Sequence, residues 1–328
     1  MARLRLSLAC WDYDRTRALR EGRVGVEGAD LLYLALPPEA TFFRMMRHRE
    51  FDVAELSLSS YVLSCHGAER PFVALPVFPS RSFRHGNVYV RRGEIERPAD
   101  LRGRRVGLPE YQLTAHVWIR GILADEHDLP VDAVSYHTGG LESQGRVEKA
   151  RVAPPGIRVE PIPPGKTLVG MLADGRLEAL YTPRTPSSFR RGEAGTRRLF
   201  PDYRERERDY FERTRIFPLM HVLVVRRDVY ERHRWLAQNL CAAFEEAKRQ
   251  AYDELLETAA QKVTLPWLTS EAEQARELMG DDYWAYGLEP NRHALDTFLR
   301  YHHEQGLSPR RLEPEDLFAA ESLESFVI

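Results

Sequence analysis

Cysteine is scarce in this chain of 328 residues, and the three present, Cys10, Cys65 and Cys241, are far apart and odd in number. A disulfide framework is therefore excluded as the organising device, zinc-type spacing is absent, and reduced thiols in a cytoplasmic protein are expected. Long hydrophobic runs are also missing. No stretch approaches the roughly 20 apolar residues needed to cross a bilayer. The run at residues 6–10 is faintly leader-like, but Arg3 and Arg5 interrupt it and it stops at Trp11-Asp12, so it reads as a first buried strand. An excess of one charge is lacking too. The formal charge of -2 sets 47 Lys and Arg against 49 Asp and Glu, which argues against a nucleic-acid partner. Internal repeats of solenoid period are not apparent.

What is present is an ordinary globular composition, 43% hydrophobic and 29% charged, long enough for two lobes with separate cores. Strand and helix patterns alternate twice. Residues 4–10 read as a strand followed by Asp12, Tyr13, Asp14 and Arg15 and a short helix, which is where open α/β sheets place ligands. Asp12 and Asp14 are equally well explained as helix caps. Residues 31–36 and 51–54 read as strands and 38–49 as a helix. Ser57, Ser59 and Ser60 lead into the next helix, whose amino terminus is a ready carboxylate seat. Residues 105–108 form a strand running into Glu110, Tyr111, Gln112 and Thr114 ahead of a helix at 115–125. Residues 138–166 read as surface connection, and 187–215 as a solvated face over packed aromatics. A strand ending near Thr182 leads to Arg184, and His221 enters the apolar strand 222–225. Helices are expected at 229–257, 270–279 and 291–305, with an amphipathic tail at 312–328 serving as a clasp or an oligomer contact.

The segment from Pro76 to Gly86 concentrates Arg81, Arg84 and His85 on what reads as a shaped connection between two buried runs. Arginine's planar fork matches a carboxylate at two points, and histidine changes charge near neutral pH, so an anionic small molecule is the expected ligand. The economical architecture is α/β: residues 1–88 and 219–328 as one lobe, 89–218 as the other, with a ligand cleft between them.

The motifs Asp12-Tyr-Asp-Arg-Thr-Arg-Ala-Leu19, Glu50-Phe-Asp-Val53 with Ser57-Leu-Ser-Ser60, Pro76-Val-Phe-Pro-Ser-Arg-Ser-Phe-Arg-His85, Val106-Gly-Leu-Pro-Glu-Tyr-Gln-Leu-Thr114 and Phe217-Pro-Leu-Met-His221 resemble the 4,5-dihydroxyphthalate decarboxylase family over nearly the whole chain. The resemblance implies a two-lobed fold like the type II periplasmic binding proteins. It also implies cytoplasmic conversion of 4,5-dihydroxyphthalate to 3,4-dihydroxybenzoate and CO2, without an organic cofactor. Loss of CO2 directly from an aryl carboxylate leaves an unstabilised aryl anion, so the ring carbon is protonated first, helped by a hydroxyl para to it.

That chemistry asks for cations, a proton donor and a hydrogen-bonding wall for the hydroxyls. Arg81 and Arg84 are the expected carboxylate holders, with Arg15 or Arg184 assisting. His85 or His221 is the expected acid. Tyr111, Gln112 and Thr114 are expected at the hydroxyls, with Glu110 as a base, and Tyr13, Ser59 and Ser60 at the substrate. Tyr13 and Tyr111 read equally well as core aromatics with one wet end. His302 and His303 read as surface or packing residues. His85, His221 and Glu110 could meet as a divalent metal site, although no ligand spacing marks one. Besides a small-molecule aromatic dicarboxylate, the expected partners are further copies of the chain in a homo-oligomer, and neither nucleic acid nor membrane. A non-catalytic solute-binding protein is the competing reading, opposed by the lack of an export leader. A pyrimidine synthase of the thiamine pathway lacks its Cys-rich motif here, and a ligand sensor lacks a DNA-binding segment.

Overall fold

The computed structural model describes residues 3–150, 152–192 and 195–323. The first stretch of the chain holds β1 (Leu4–Cys10), α1 (Asp14–Arg20), β2 (Ala29–Ala35), α2 (Pro38–His48), β3 (Val53–Ser57), α3 (Leu58–Cys65) and β4 (Phe72–Arg81). The middle holds β5 (Val88–Arg91), β6 (Arg105–Leu108), α4 (Thr114–His127), β7 (Ser135–Thr138), β8 (Val159–Pro161), α5 (Leu168–Ala173), β9 (Ala179–Tyr181), α6 (Ser187–Arg190), β10 (Thr196–Arg198) and α7 (Tyr203–Thr214). The last holds β11 (Leu219–Arg226), α8 (Arg227–Arg232), α9 (Leu236–Leu255), α10 (Leu268–Met279) and α11 (Arg292–Glu304).

Two compact units result. The first comprises residues 1–81, 219–295 and 312–328, and the second 82–218 and 296–311. These bounds differ from the partition expected above, because 82–88 and 296–311 belong to the second unit. β5, entered from this short lead, pairs antiparallel with β9 and β10. The second segment is held by Arg120 on α4, whose Nε donates to Gln305 Oε1 at 2.8 Å. The helix expected over 229–257 is two helices, because His233 leaves the helical region at φ −141°, ψ 58°.

The first unit is built on a five-stranded sheet in the order β2-β1-β3-β11-β4. β1 runs parallel to β2 and β3, whereas β11 is antiparallel to both β3 and β4. Its central strands read Val-Ala-Glu-Leu-Ser and Leu-Met-His-Val-Leu-Val-Val, the near-continuous apolar runs of strands covered on both faces. The segment starting at Pro76 is strand as far as Arg81 rather than a connection. Pro76 and Pro79 fit there because β4 is the last strand of the sheet, where a missing N–H costs no ladder bond on the outer side. Its pairing with β11 shifts register on both sides of His221. The tail docks on this strand: Ala319 N donates to Ala74 O at 2.9 Å and Phe318 meets Phe78 edge-on. Residues 324–328 of the expected clasp lie outside the described residues.

The second unit carries a six-stranded sheet in the order β10-β5-β9-β6-β7-β8. Tyr89, Leu168, Leu172, Leu177 and Leu180 form a core on it. α4 is buried along most of its length, and Trp118 packs against Phe298 and Tyr301 of α11.

Gly121 lies within α4, where a Cβ would stand 2.2 Å from the Tyr301 ring. Alanine in a helix interior normally stabilises by up to about 1 kcal/mol over glycine. Here the overlap reverses the sign, and Gly121→Ala is expected to cost about 1–3 kcal/mol, the usual penalty of overpacking. A lowered thermal midpoint checks this, and a raised one refutes the close packing of α4 on α11.

Candidate active site

A carboxylate inside an apolar sheet has to be paired or neutralised, because transfer from water strips its hydration. Glu55, in the middle of β3, is fully buried. Its Oε1 accepts from the Tyr13 hydroxyl at 2.6 Å and stands 2.5 Å from His221 Nδ1. Its Oε2 accepts from the Trp11 backbone N–H at 3.0 Å and from the Cys10 thiol at 3.6 Å. Burial alone raises the carboxyl's pKa. The charge and hydrogen bond of His221, with the bonds from Tyr13 and Trp11, outweigh this and hold it below the ordinary carboxylate range. Tyr13 and Cys10 are both driven upward, first by burial and then by the Glu55 charge, so each keeps its proton.

Sheet geometry brings these groups together. In the antiparallel pairing of β11 with β3, Leu223 faces Glu55 and His221 faces Ser57. His221 is thus the diagonal neighbour of Glu55 on the same face, within reach of two long side chains. The irregular pairing with β4 at this position is of the kind that re-aims a side chain. The ring is braced by Phe42 of α2, edge-on with centroids 4.8 Å apart.

Arg15, in the first turn of α1, stands beside this cluster. Its guanidinium lies 4.0 Å over the Tyr13 ring and 4.1 Å from the Trp284 ring, its Nε donates to Pro79 O at 2.6 Å, and its Nη1 to Asp14 at 3.0 Å. Two aromatic faces and a carbonyl orient the fork. Arg15, Tyr283 and Trp284 also line a recess of about 110 Å³ with Tyr252 and Lys248, small beside the roughly 300 Å³ or more of typical ligand pockets. At the start of α3, Ser59 and Ser60 are fully buried, and Ser60 Oγ has no hydrogen-bond partner among the described residues.

The other expected residues have different surroundings. Arg81 is buried, donating to the Ala285 carbonyl and to Asn291 Oδ1 at 2.6 Å, so this guanidinium ties β4 to the loop at 285–291. Burial lowers it to about 10, still charged near neutrality. Asp12 pairs with Arg20 at 2.5 Å, and Asp14, the first residue of α1 rather than its cap, accepts from the Arg15 N–H at 2.7 Å. In the second unit, Arg84 donates to Asn87 Oδ1 at 3.2 Å, and burial lowers it to about 10. Arg184 is exposed. Tyr111 is a core aromatic: its hydroxyl donates to Gln305 O at 3.1 Å, and Arg120 lies 3.8 Å over its ring. Thr114 is the first residue of α4.

Glu110 is buried against two cations, Arg146 at 2.5 Å and Lys149 at 2.7 Å, and also accepts from Gln112 Nε2 at 2.7 Å. Burial raises its pKa, but Lys149 and Arg146 outweigh that and hold it low. The stretch read as surface connection therefore sends two cations inward. His302 is buried on Ser308 Oγ at 2.6 Å, a packing role as expected.

The two histidines separate on environment. His85 is enclosed by Phe200 and Tyr210, and burial lowers it to about 4, so it is neutral near pH 7. Its neighbour Glu207, 3.9 Å away, is pushed up to about 7 by burial against the pull of the Gly86 and His85 backbone N–H groups. That contact is not an ion pair. Among the described residues no group of three or more His, Cys, Asp or Glu side chains is placed to share a metal ion. No helix among them is long and apolar enough to cross a membrane.

Sequence reasoning placed His221, Tyr13 and Arg15 at the site but passed over Glu55. The clue was a single acid in the strand sequence Val-Ala-Glu-Leu-Ser, where burial on both faces demands local donors.

The fold is that of the periplasmic binding proteins. The aliphatic sulphonate binding protein SsuA of Escherichia coli matches with a TM-score of 0.53 at 14% identity, covering 98% of this chain and 99% of that one. The desulfurization enzyme DSZB matches at 0.50 and 16% identity, with 98% of each chain covered. No family model matches the sequence. The 4,5-dihydroxyphthalate decarboxylase of Comamonas testosteroni is 44% identical over 331 residues, covering 100% of both chains. That of Pseudomonas putida is 43% identical over 213 residues, 64% of this chain and 83% of its own length. The chain belongs to the 4,5-dihydroxyphthalate decarboxylase family.

Glu207 supplies a pH test of the second unit. Its folded pKa of about 7 exceeds the unfolded value of 4.5, so folding binds a proton between these limits. The stability linked to it is intact below pH 4.5 and declines as pH rises to 7, by up to about 3 kcal/mol. Glu207→Gln should remove this decline, gaining on the parent in denaturant titrations at pH 8 relative to pH 5. A variant-to-parent difference that does not change with pH refutes the assignment.

Proposed function

We propose that this chain decarboxylates 4,5-dihydroxyphthalate to 3,4-dihydroxybenzoate and CO2. The observation that carries the reading is the identity of 44% to the Comamonas enzyme across the full length of both chains. The Tyr13, Glu55 and His221 cluster beside Arg15 supplies chemistry suited to it. Arg15, rigidly stacked, holds a carboxylate of the diacid.

His221 is the acid. Its ring nitrogen gives a proton to the carbon bearing the leaving carboxylate, while the para hydroxyl donates electron density into the ring. The carbon–carboxyl bond then breaks, its electron pair restores aromaticity, and CO2 departs. The histidine recovers its proton from solvent. No organic cofactor enters this sequence, since the hydroxyl does the work of an electron source. The three cysteines are free, which supports the cytoplasmic setting.

Incubating the purified chain with 4,5-dihydroxyphthalate should release CO2 and dihydroxybenzoate, and phthalate lacking the hydroxyls should not react. His221→Asn should lower kcat by about 10²-fold or more, the usual contribution of a general acid. Arg15→Lys keeps the charge but loses the fork, and should act chiefly on KM. Tight binding with no turnover would favour a solute-binding protein, and loss of rate with a chelator would require a metal. Full activity of the His221 variant would remove that residue from the mechanism.

A further inference from the structure

We infer that Glu55 and Tyr13 are positioning residues that keep a proton on His221 Nδ1, leaving Nε2 as the nitrogen that exchanges a proton with the aromatic acid. The catalytic part of this rests on the decarboxylase reading, whereas the tautomer rests on geometry alone.

An ionised carboxylate accepts hydrogen bonds and cannot donate them. Glu55 is held ionised, and its Oε1 stands 2.5 Å from Nδ1. Nδ1 must therefore be the donor, whether the ring is neutral or charged. A neutral ring then has a bare Nε2, and a charged ring can release a proton only from Nε2 without breaking the bond to Glu55. The recorded hydrogen bonds of the ring both involve Nδ1: Glu55 at 2.5 Å and a weaker approach of the Tyr13 hydroxyl at 3.4 Å. Among the described residues of the first unit, none is hydrogen-bonded to Nε2. The side chain is 18% exposed, so this nitrogen is not sealed in the core.

Tyr13 and the end of β1 stop the carboxylate from turning away. The Tyr13 hydroxyl shares Oε1 with the imidazole, and the Trp11 N–H and Cys10 thiol hold Oε2. Rotating the carboxylate would disrupt these contacts around a group that is fully buried. In the reaction, the Nε2–H bond breaks as the C–H bond forms, and its electron pair stays on Nε2. Nδ1 keeps its proton throughout. The ring that remains is the tautomer that Glu55 selects, ready to take the next proton at Nε2.

The test uses the full chain. In the ligand-free protein, nitrogen-15 NMR of the His221 ring, assigned by its loss in His221→Asn, should show the neutral form protonated at Nδ1. In Glu55→Gln the amide can donate to Nδ1, and the neutral ring should become protonated at Nε2. With 4,5-dihydroxyphthalate, Glu55→Gln should lower kcat by about 10²-fold while KM changes by less than about threefold. Tyr13→Phe, which removes one hydrogen bond and leaves the buried charge paired, should keep the Nδ1 proton and lower kcat by about fivefold. A parent ring protonated at Nε2 overturns the inference, as does a folded Glu55→Gln variant with parental kcat. A parent ring protonated at Nδ1 in a protein that releases no CO2 supports the tautomer assignment and overturns the decarboxylase reading.

Discussion

A single carboxylate with no access to water organises the first unit. Glu55 sits where the strand pattern calls for an apolar residue, and its cost is offset only because four donors converge on it. Each donor constrains a different piece of chain. The Trp11 N–H fixes the path leaving β1, the Tyr13 hydroxyl fixes the entry to α1, and His221 fixes the start of β11. Arg15 stacks on Tyr13, so its orientation is inherited from the same bond. The second unit meets the same problem at Glu110 in another way, with the cations Arg146 and Lys149. A pair of full charges makes an inert brace, whereas an imidazole leaves one nitrogen available for chemistry.

Much of the fold was legible in the sequence, because strands such as residues 4–10 and 105–108 and helices such as 38–49 carry periodicity and turn residues that point the same way. The first half of the Arg-rich segment was misread as connection, whereas it is strand as far as Arg81 and a connection only beyond it. Whether a proline sits at a sheet edge depends on strand order, which sequence spacing does not contain. The same holds for the cations at 146 and 149. Their loop is rich in glycine and charge, and only the folded chain sets them beside Glu110.

In the candidate site, the sequence named the residue types that announce themselves, namely His221, Arg15 and Tyr13. Their ranking was not legible. His85 and His221 look alike in sequence, and the difference lies in what encloses them. One is packed among rings beside a carboxyl that tends to be neutral, and the other touches a carboxylate held ionised. Arg81 looked like a ligand-binding fork, but its Nη2 donates to a carbonyl and an amide of its own unit. Glu55 escaped notice because buried acids are identified by their partners, which come from two stretches of chain distant from it in sequence, residues 10–13 and His221.

The outer margin of β4 has a consequence for assembly. Pro76 and Pro79 offer no amide protons there, the carbonyls of Ala74 and Pro76 are taken by Ala319 and Gly287, and that of Phe78 by the Trp284 indole. At these positions a neighbouring molecule therefore meets main chain that is already engaged or has no N–H to offer, which disfavours templating another strand. Self-association through this rim is expected to proceed by complementary side-chain surfaces, and fibril-like growth by strand addition is disfavoured at that border by the chain's own covering segments.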